Sequence, residues 1–142
     1  MELNKNKILK LLGLFDEAFD GLMAIRKEPK EKILSSRERF ALEQLFYRLA
    51  MSTIDICFHI VAKRKGKVPD TYKNCFQHLL EEGLIDANTK QKLEELAGLR
   101  NLIAHVYWEL DDERLYDYLD ELESLAGFRQ MVLKILEGNP DD

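Results

Sequence analysis

The sequence predicts an all-α protein, an up-and-down bundle of four to five helices with short connections. Three observations carry that prediction. Apolar residues recur at three- and four-residue spacings along most of the chain, as the buried face of a helix requires. Helix-capping residues and helix-stopping glycines and prolines punctuate those stretches at intervals of one helix length. The composition, 46% hydrophobic and 33% charged with only 7 glycines and 3 prolines, suits a helical globular chain, and no alternating segment of strand length competes. A chain of 142 residues is the size of one domain with its own core. Residues 1–142 therefore read as a single domain, with a frayed tail at 138–142.

The first apolar series, Ile8, Leu11, Leu12, Phe15, Phe19, Leu22, Met23 and Ile25, predicts a helix over about residues 4–26 that ends before Pro29. A second, long helix is expected from Ser35 or Ser36, where Ser35 and Glu38 form a capping-box pattern. From Phe40 to Val61 its apolar surface is too wide for a helix with one buried side, so it belongs at the centre of the bundle or in a dimer. It closes in Lys63-Arg64-Lys65-Gly66-Lys67, cations that suit a helix C-terminus and that could also meet phosphate.

Asp70 or Thr71 caps a short third helix through Phe76 and Leu80, stopped near Gly83. Asp86 or Asn88 caps a fourth, with Leu93, Leu96, Ala97, Leu99, Leu102 and Ile103 on its apolar positions. Asp111 and Asp112 open a fifth, read as continuous through Leu115, Leu122, Leu125 and Phe128 towards Leu136.

The charge balance of 21 basic and 26 acidic side chains, net −5, excludes a generally basic nucleic-acid binder and limits any such role to a local patch. Cys57 and Cys75 are too few for a disulfide framework and lack metal-ligand spacing, so they read as reduced thiols of a cytoplasmic protein. The N-terminus leads into an amphipathic stretch rather than an export signal, and no eighteen-residue apolar run suggests a membrane span. No cofactor or metal is expected.

The chemistry-bearing segment is Arg100-Asn101-Leu102-Ile103-Ala104-His105-Val106-Tyr107 at the end of the fourth helix. It resembles the R-x-x-x-x-H-x-Y motif of HepT-like proteins, a branch of the HEPN superfamily. Glu38 to Ile60 is similar to that family's long second helix, and Pro69 to Leu80 to its P-x-x-Y-x-x-x-F-x-x-L stretch. The resemblance implies a HEPN-like fold and a homodimer whose two motifs face a shared cleft. It further implies a metal-independent RNA endonuclease, with tRNA or mRNA as substrate, acting as the toxin of a type VII toxin-antitoxin system. Its partner would be a MntA-like nucleotidyltransferase antitoxin that neutralises it by transferring AMP to Tyr107.

The residue types fit that chemistry. His105 can take and return a proton near neutrality, and the always-charged Arg100 can hold phosphate oxygens. Asn101 can orient His105, contact phosphate or simply finish the helix. Without the resemblance, Arg100 and His105 would read as a surface pair at a helix terminus and Tyr107 as an amphipathic cover for the helix end. Geometry adds a demand: five residues of regular helix separate two side chains by about 140°. Either the helix ends between Arg100 and His105, or a second subunit completes the cleft. Tyr107 would return to within about 20° of Arg100 if helical geometry persisted.

Asp55 and His59, four apart, are expected to form a local pair, and His78 to be a surface histidine rather than a ligand. The acidic balance favours one alternative, a non-catalytic HEPN scaffold that binds a nucleotidyltransferase or a nucleotide.

Overall fold

The computed structural model describes residues 3–138, and every described regular element is helical. Seven α-helices follow one another: α1 (Lys5–Arg26), α2 (Lys30–Leu34), α3 (Glu38–Lys65), α4 (Tyr72–Glu81), α5 (Ala87–His105), α6 (Asp112–Tyr118) and α7 (Ala126–Gly138). Two 3₁₀ segments, Tyr107–Glu109 and Leu119–Leu125, join α5 to α6 and α6 to α7. Of the tail expected to fray, Gly138 closes α7 and residues 139–142 lie outside the described residues.

α1 starts where Asn4 Oδ1 accepts from the Lys7 N–H at 3.1 Å, and it buries Ile8, Leu12, Phe15, Ala18, Leu22 and Ile25. It runs antiparallel to α3. Gly21 faces Leu45, and Arg48 reaches Glu17 at 3.8 Å, so numbers rise along one helix as they fall along the other. A Cβ on Gly21 would stand 3.0 Å from Leu45 Cδ1, so the glycine permits the close approach of the two helices.

The start of α3 departs from expectation. Pro29, read as a stop, is the N-cap of α2, whose Ile33 is buried; a proline's fixed φ pre-organises a helix start as readily as it ends one. No Ser35 capping box forms. Instead Ser36 Oγ accepts from the Glu38 N–H at 3.2 Å and donates to the Ile33 carbonyl at 3.1 Å, linking α2 to α3. The wide apolar surface of α3 is explained by its central place, with α1, α4, α5 and α6 all packed on it. α3 has the length and apolar content of a membrane-crossing helix, but half of that stretch is buried inside the bundle. Gly66, at φ 77°, stops it, donating its N–H to the Ala62 carbonyl at 2.8 Å.

Thr71 caps α4 and Asp86 caps α5, each accepting from the N–H three residues on, at 3.1 and 2.7 Å. Gly83, at φ 73°, ends α4 in the left-handed region.

The expected fifth helix is broken. Asp111 does cap it, but α6 lasts only to Tyr118 and a 3₁₀ segment intervenes before α7. Leu119, Leu122 and Leu125 are spaced by three and are all buried. At about 100° per residue each would fall about 60° behind the last, whereas the 3₁₀ helix turns about 120° per residue and keeps them in line. Ordinary α-helical phase resumes for Phe128, Val132 and Ile135. Phe15, Phe46, Phe76 and Phe128, from α1, α3, α4 and α7, are each no more than 1% exposed and anchor one contiguous core.

Candidate active site

α5 carries the motif and is fastened at its N-terminal half. Thr89, Leu93, Leu96 and Ala97 are buried, Lys92 Nζ meets Glu121 Oε1 at 3.0 Å, and the Tyr118 hydroxyl donates to Glu95 Oε1 at 3.1 Å. Burial and Glu95 push the Tyr118 phenol above its ordinary range. From Gly98 onward side chains become half-buried, then exposed.

Arg100 lies back against α3. Its Nε donates to Met51 Sδ at 3.1 Å and its Nη1 donates to Asn101 Oδ1 at 2.7 Å. Two of its donors are thus used in holding the guanidinium, and among the described residues no partner occupies Nη2. Asn101 therefore sits with Arg100 rather than with His105. Asp55, one turn along α3 from Met51, lies in the field of both Lys7 and Arg100. Partial burial pushes its carboxyl up and the two cations restrain the rise.

His105 is the last residue of α5 and is exposed. The helix continues through it, with the chain leaving at Val106 (φ −134°, ψ 40°). Of the two arrangements that could bring Arg100 and His105 together, a helix end between them is thus ruled out. The two side chains leave α5 about 140° apart around its axis. Tyr107 does not return to the Arg100 side in helical phase either, because it already belongs to the 3₁₀ turn Tyr107–Glu109. That turn is closed by Glu109 N–H to Val106 carbonyl at 2.8 Å and Leu110 N–H to Tyr107 carbonyl at 3.1 Å. Tyr107 and Trp108 are each 70% exposed, and their rings meet edge to face with centroids 5.5 Å apart.

The sequence did not single out Trp108, Met51 or the carboxyl pair Glu43–Asp112. The first was legible as an aromatic beside the motif and the second as part of the four-residue stripe Met51-Asp55-His59. The pair was not legible, since 69 residues separate its members. Burial, then the neighbouring Asp112 carboxylate, pushes Glu43 up to about 7. Asp112 Oδ1 is buried without a hydrogen-bond partner. The pair ties α6, just after the motif, to α3.

Three other expectations change. Asp55 and His59 form no pair among the described residues. His59 Nε2 is buried without a hydrogen-bond partner, and burial together with Lys7 and Lys63 lowers its pKa. His78 is half-buried rather than superficial, its Nε2 3.9 Å from Glu82 Oε1. In the basic cluster Arg64 is engaged by Glu82 at 3.0 Å. Lys63 lies twelve residues, about 18 Å along the axis, from the Met51 that holds Arg100. Cys57 and Cys75 are free, fully buried and adjacent, on α3 and α4.

The bundle defines the class. Bacillus subtilis YutE, described as a cytosolic protein of unknown function, superposes with TM-score 0.81 at 19% identity, over 97% of this chain and 95% of that one. A toxin–antitoxin crystal structure with AMP-PNP superposes with TM-score 0.76 at 18% identity, over 88% of this chain and 96% of its own. Both likenesses show the same all-helical fold. The model of the ribonuclease HepT-like family matches residues 15–133, a span that includes the whole of Arg100 to Tyr107, and the chain belongs to that family. Two Archaeoglobus fulgidus proteins, both provisionally named RNases, are related in sequence. One is 34% identical over 97 residues, 66% of this chain and 73% of the relative. The other is 41% identical over 83 residues, 54% and 62%.

Proposed function

We propose that this protein is a metal-independent RNA endonuclease, the toxin of a HEPN/MNT toxin-antitoxin system, working in the cytoplasm as a homodimer of single-domain chains. The observation that carries the reading is the disposition of Arg100 and His105. One is held at its root with an unoccupied Nη2, the other is exposed at the end of the same helix, and the two diverge around it.

In this reading His105 takes the proton of a ribose 2′-hydroxyl, the freed oxygen attacks the adjacent phosphorus, and the bond to the 5′ oxygen breaks. The leaving oxygen is protonated by the imidazolium of a second copy, leaving a 2′,3′-cyclic phosphate. Arg100 stabilises the charge gathering on the phosphate, and Asn101 fixes its planar group for bidentate contact. Because the two side chains diverge on one α5, a two-fold axis that pairs two motifs supplies the convergence.

An unpaired loop or end of a tRNA or mRNA suits so acidic a protein better than duplex, since RNA sequence is read mainly on single-stranded elements. For restraint, the exposed Tyr107 hydroxyl attacks the α-phosphorus of ATP on a MntA-like nucleotidyltransferase, releasing pyrophosphate and leaving a bulky anion beside His105.

The test is RNA cleavage in EDTA. The parent cuts, and His105→Ala loses about 10² to 10⁴ in rate; equal cutting by both ends the assignment. Intact mass after incubation with antitoxin and ATP rises by one AMP in the parent and not in Tyr107→Phe. The net charge of −5 favours a second reading, a non-catalytic scaffold for the nucleotidyltransferase. Tight complex formation with no cleavage by parent or variant selects it.

A further inference from the structure

We infer that Trp108, with Tyr107 as its side wall, is a stacking subsite for one unpaired base of the RNA next to the cleaved bond. The inference rests on the nuclease reading above and deepens it.

Trp108 is the only tryptophan in the chain, and it is 70% exposed although burying a ring of this size is strongly favourable. It is also not loose. The 3₁₀ turn that carries it is closed by two main-chain hydrogen bonds, of 2.8 and 3.1 Å. Its ring stands at 79° to that of Tyr107, giving an L-shaped recess with one ring as floor and the other as wall. A planar base laid on such a floor meets the second ring at its edge, the geometry aromatic groups prefer. The recess begins two residues beyond His105.

Charge chooses between base and backbone as occupant. Glu109, Asp111 and Asp112 follow directly in sequence and repel phosphate, whereas a neutral base faces no such penalty. The phosphate is left for Arg100, on the other side of α5. A second copy of the chain is a poorer occupant of the recess. Two rings of about 150–250 Å² each, 70% exposed, offer roughly 200–350 Å². A stable interface needs about 800 Å² from each partner, so the two rings alone are too small to hold a second copy.

A single tryptophan makes its fluorescence a direct reporter. His105→Ala is titrated with a six-nucleotide single-stranded RNA, and binding is followed in parallel by the anisotropy of an end-labelled copy. Saturable quenching of Trp108 is expected, with the same midpoint as the anisotropy, and is lost with an abasic oligonucleotide of equal length. Trp108→Ala added to this background weakens binding on the order of 5- to 150-fold, while Trp108→Phe retains most of it. In the cleaving parent the same change raises KM more than it lowers kcat.

Binding with an unchanged tryptophan signal and undiminished affinity in Trp108→Ala overturns the subsite and leaves the nuclease reading standing. A blue shift that grows with protein concentration and ignores RNA also overturns it, by assigning the ring to a second copy. Absence of both RNA binding and cleavage in the parent removes the nuclease reading itself, and the subsite with it.

Discussion

The two halves of α5 are built to different rules. Between Asp86 and Ala97 the helix is capped, cross-linked by Lys92 and Glu95, and buried at Leu93, Leu96 and Ala97 to within 1%. Between Gly98 and His105 the same helix carries half-buried and exposed side chains, ending beside two aromatic rings left in solvent. The contrast teaches that the motif needs no scaffold of its own. A helix rooted in the core for its first three turns holds the next two rigid, so polar groups there can face outward at little cost to the fold.

Substitutions in the two halves should therefore fail in opposite ways. The largest expected effect is at the free end: His105→Ala loses about 10² to 10⁴ in RNA cleavage while its thermal midpoint stays at the parent's. In the rooted half, Leu96→Ala costs about 2–5 kcal/mol of stability by denaturant titration, and its folded fraction keeps the parent's specific activity. Loss of specific activity in that fraction would show that the two halves are coupled.

Arg100→Ala is the intermediate case, because the side chain both packs on Met51 and, in the proposed mechanism, faces phosphate. Activity should fall on the order of 10²-fold with a far smaller change in stability. Asp86→Ala weakens the root without touching the site. The Thr89 N–H holds the Asp86 carboxylate below its ordinary range. The cap is therefore fully present above about pH 4, lost as pH falls through the lowered value, and absent from the variant's acid profile.

The smallest effect concerns the tether between α3 and α6. Glu43 titrates near 7 in the folded chain against 4.5 for a free carboxyl, so the folded state holds the extra proton. Stability then falls as pH rises from about 4.5 to 7 and levels off above. Glu43 is only half-buried and solvent screens it, so the amount is about 1 kcal/mol at most. Glu43→Gln should flatten this slope in melts between pH 5 and 8; an unchanged slope places the proton elsewhere.

Much of this frame was legible in residue order because it rests on local rules. The Thr71 and Asp86 caps and the Gly66 and Gly83 stops depend only on the next few residues. The width of apolar surface on Phe40 to Val61 announced a central helix. Legibility failed where two local signals compete or where contact is distant. Pro29 can end one helix or begin another, and Leu119, Leu122 and Leu125 satisfy a three-residue period inside a window that also suits 3.6.

Arg100, Asn101, His105 and Tyr107 were singled out by resemblance, and the divergence of Arg100 from His105 followed from helix phase alone. That Arg100 would lean on Met51, claim Asn101 and share a field with Asp55 depends on how α3 lies against α5. No spacing within either helix encodes that.

One last feature serves as a clock. Cys57 and Cys75 touch across the seam between α3 and α4, fully buried, and burial holds the Cys57 thiol well above its ordinary range. In the closed protein burial keeps both sulfurs away from an alkylating reagent. Modification must wait for the seam to part, so the rate of labelling counts those openings directly. Run beside the cleavage assay on the same sample, it separates breathing of the core from whatever happens at the far end of α5.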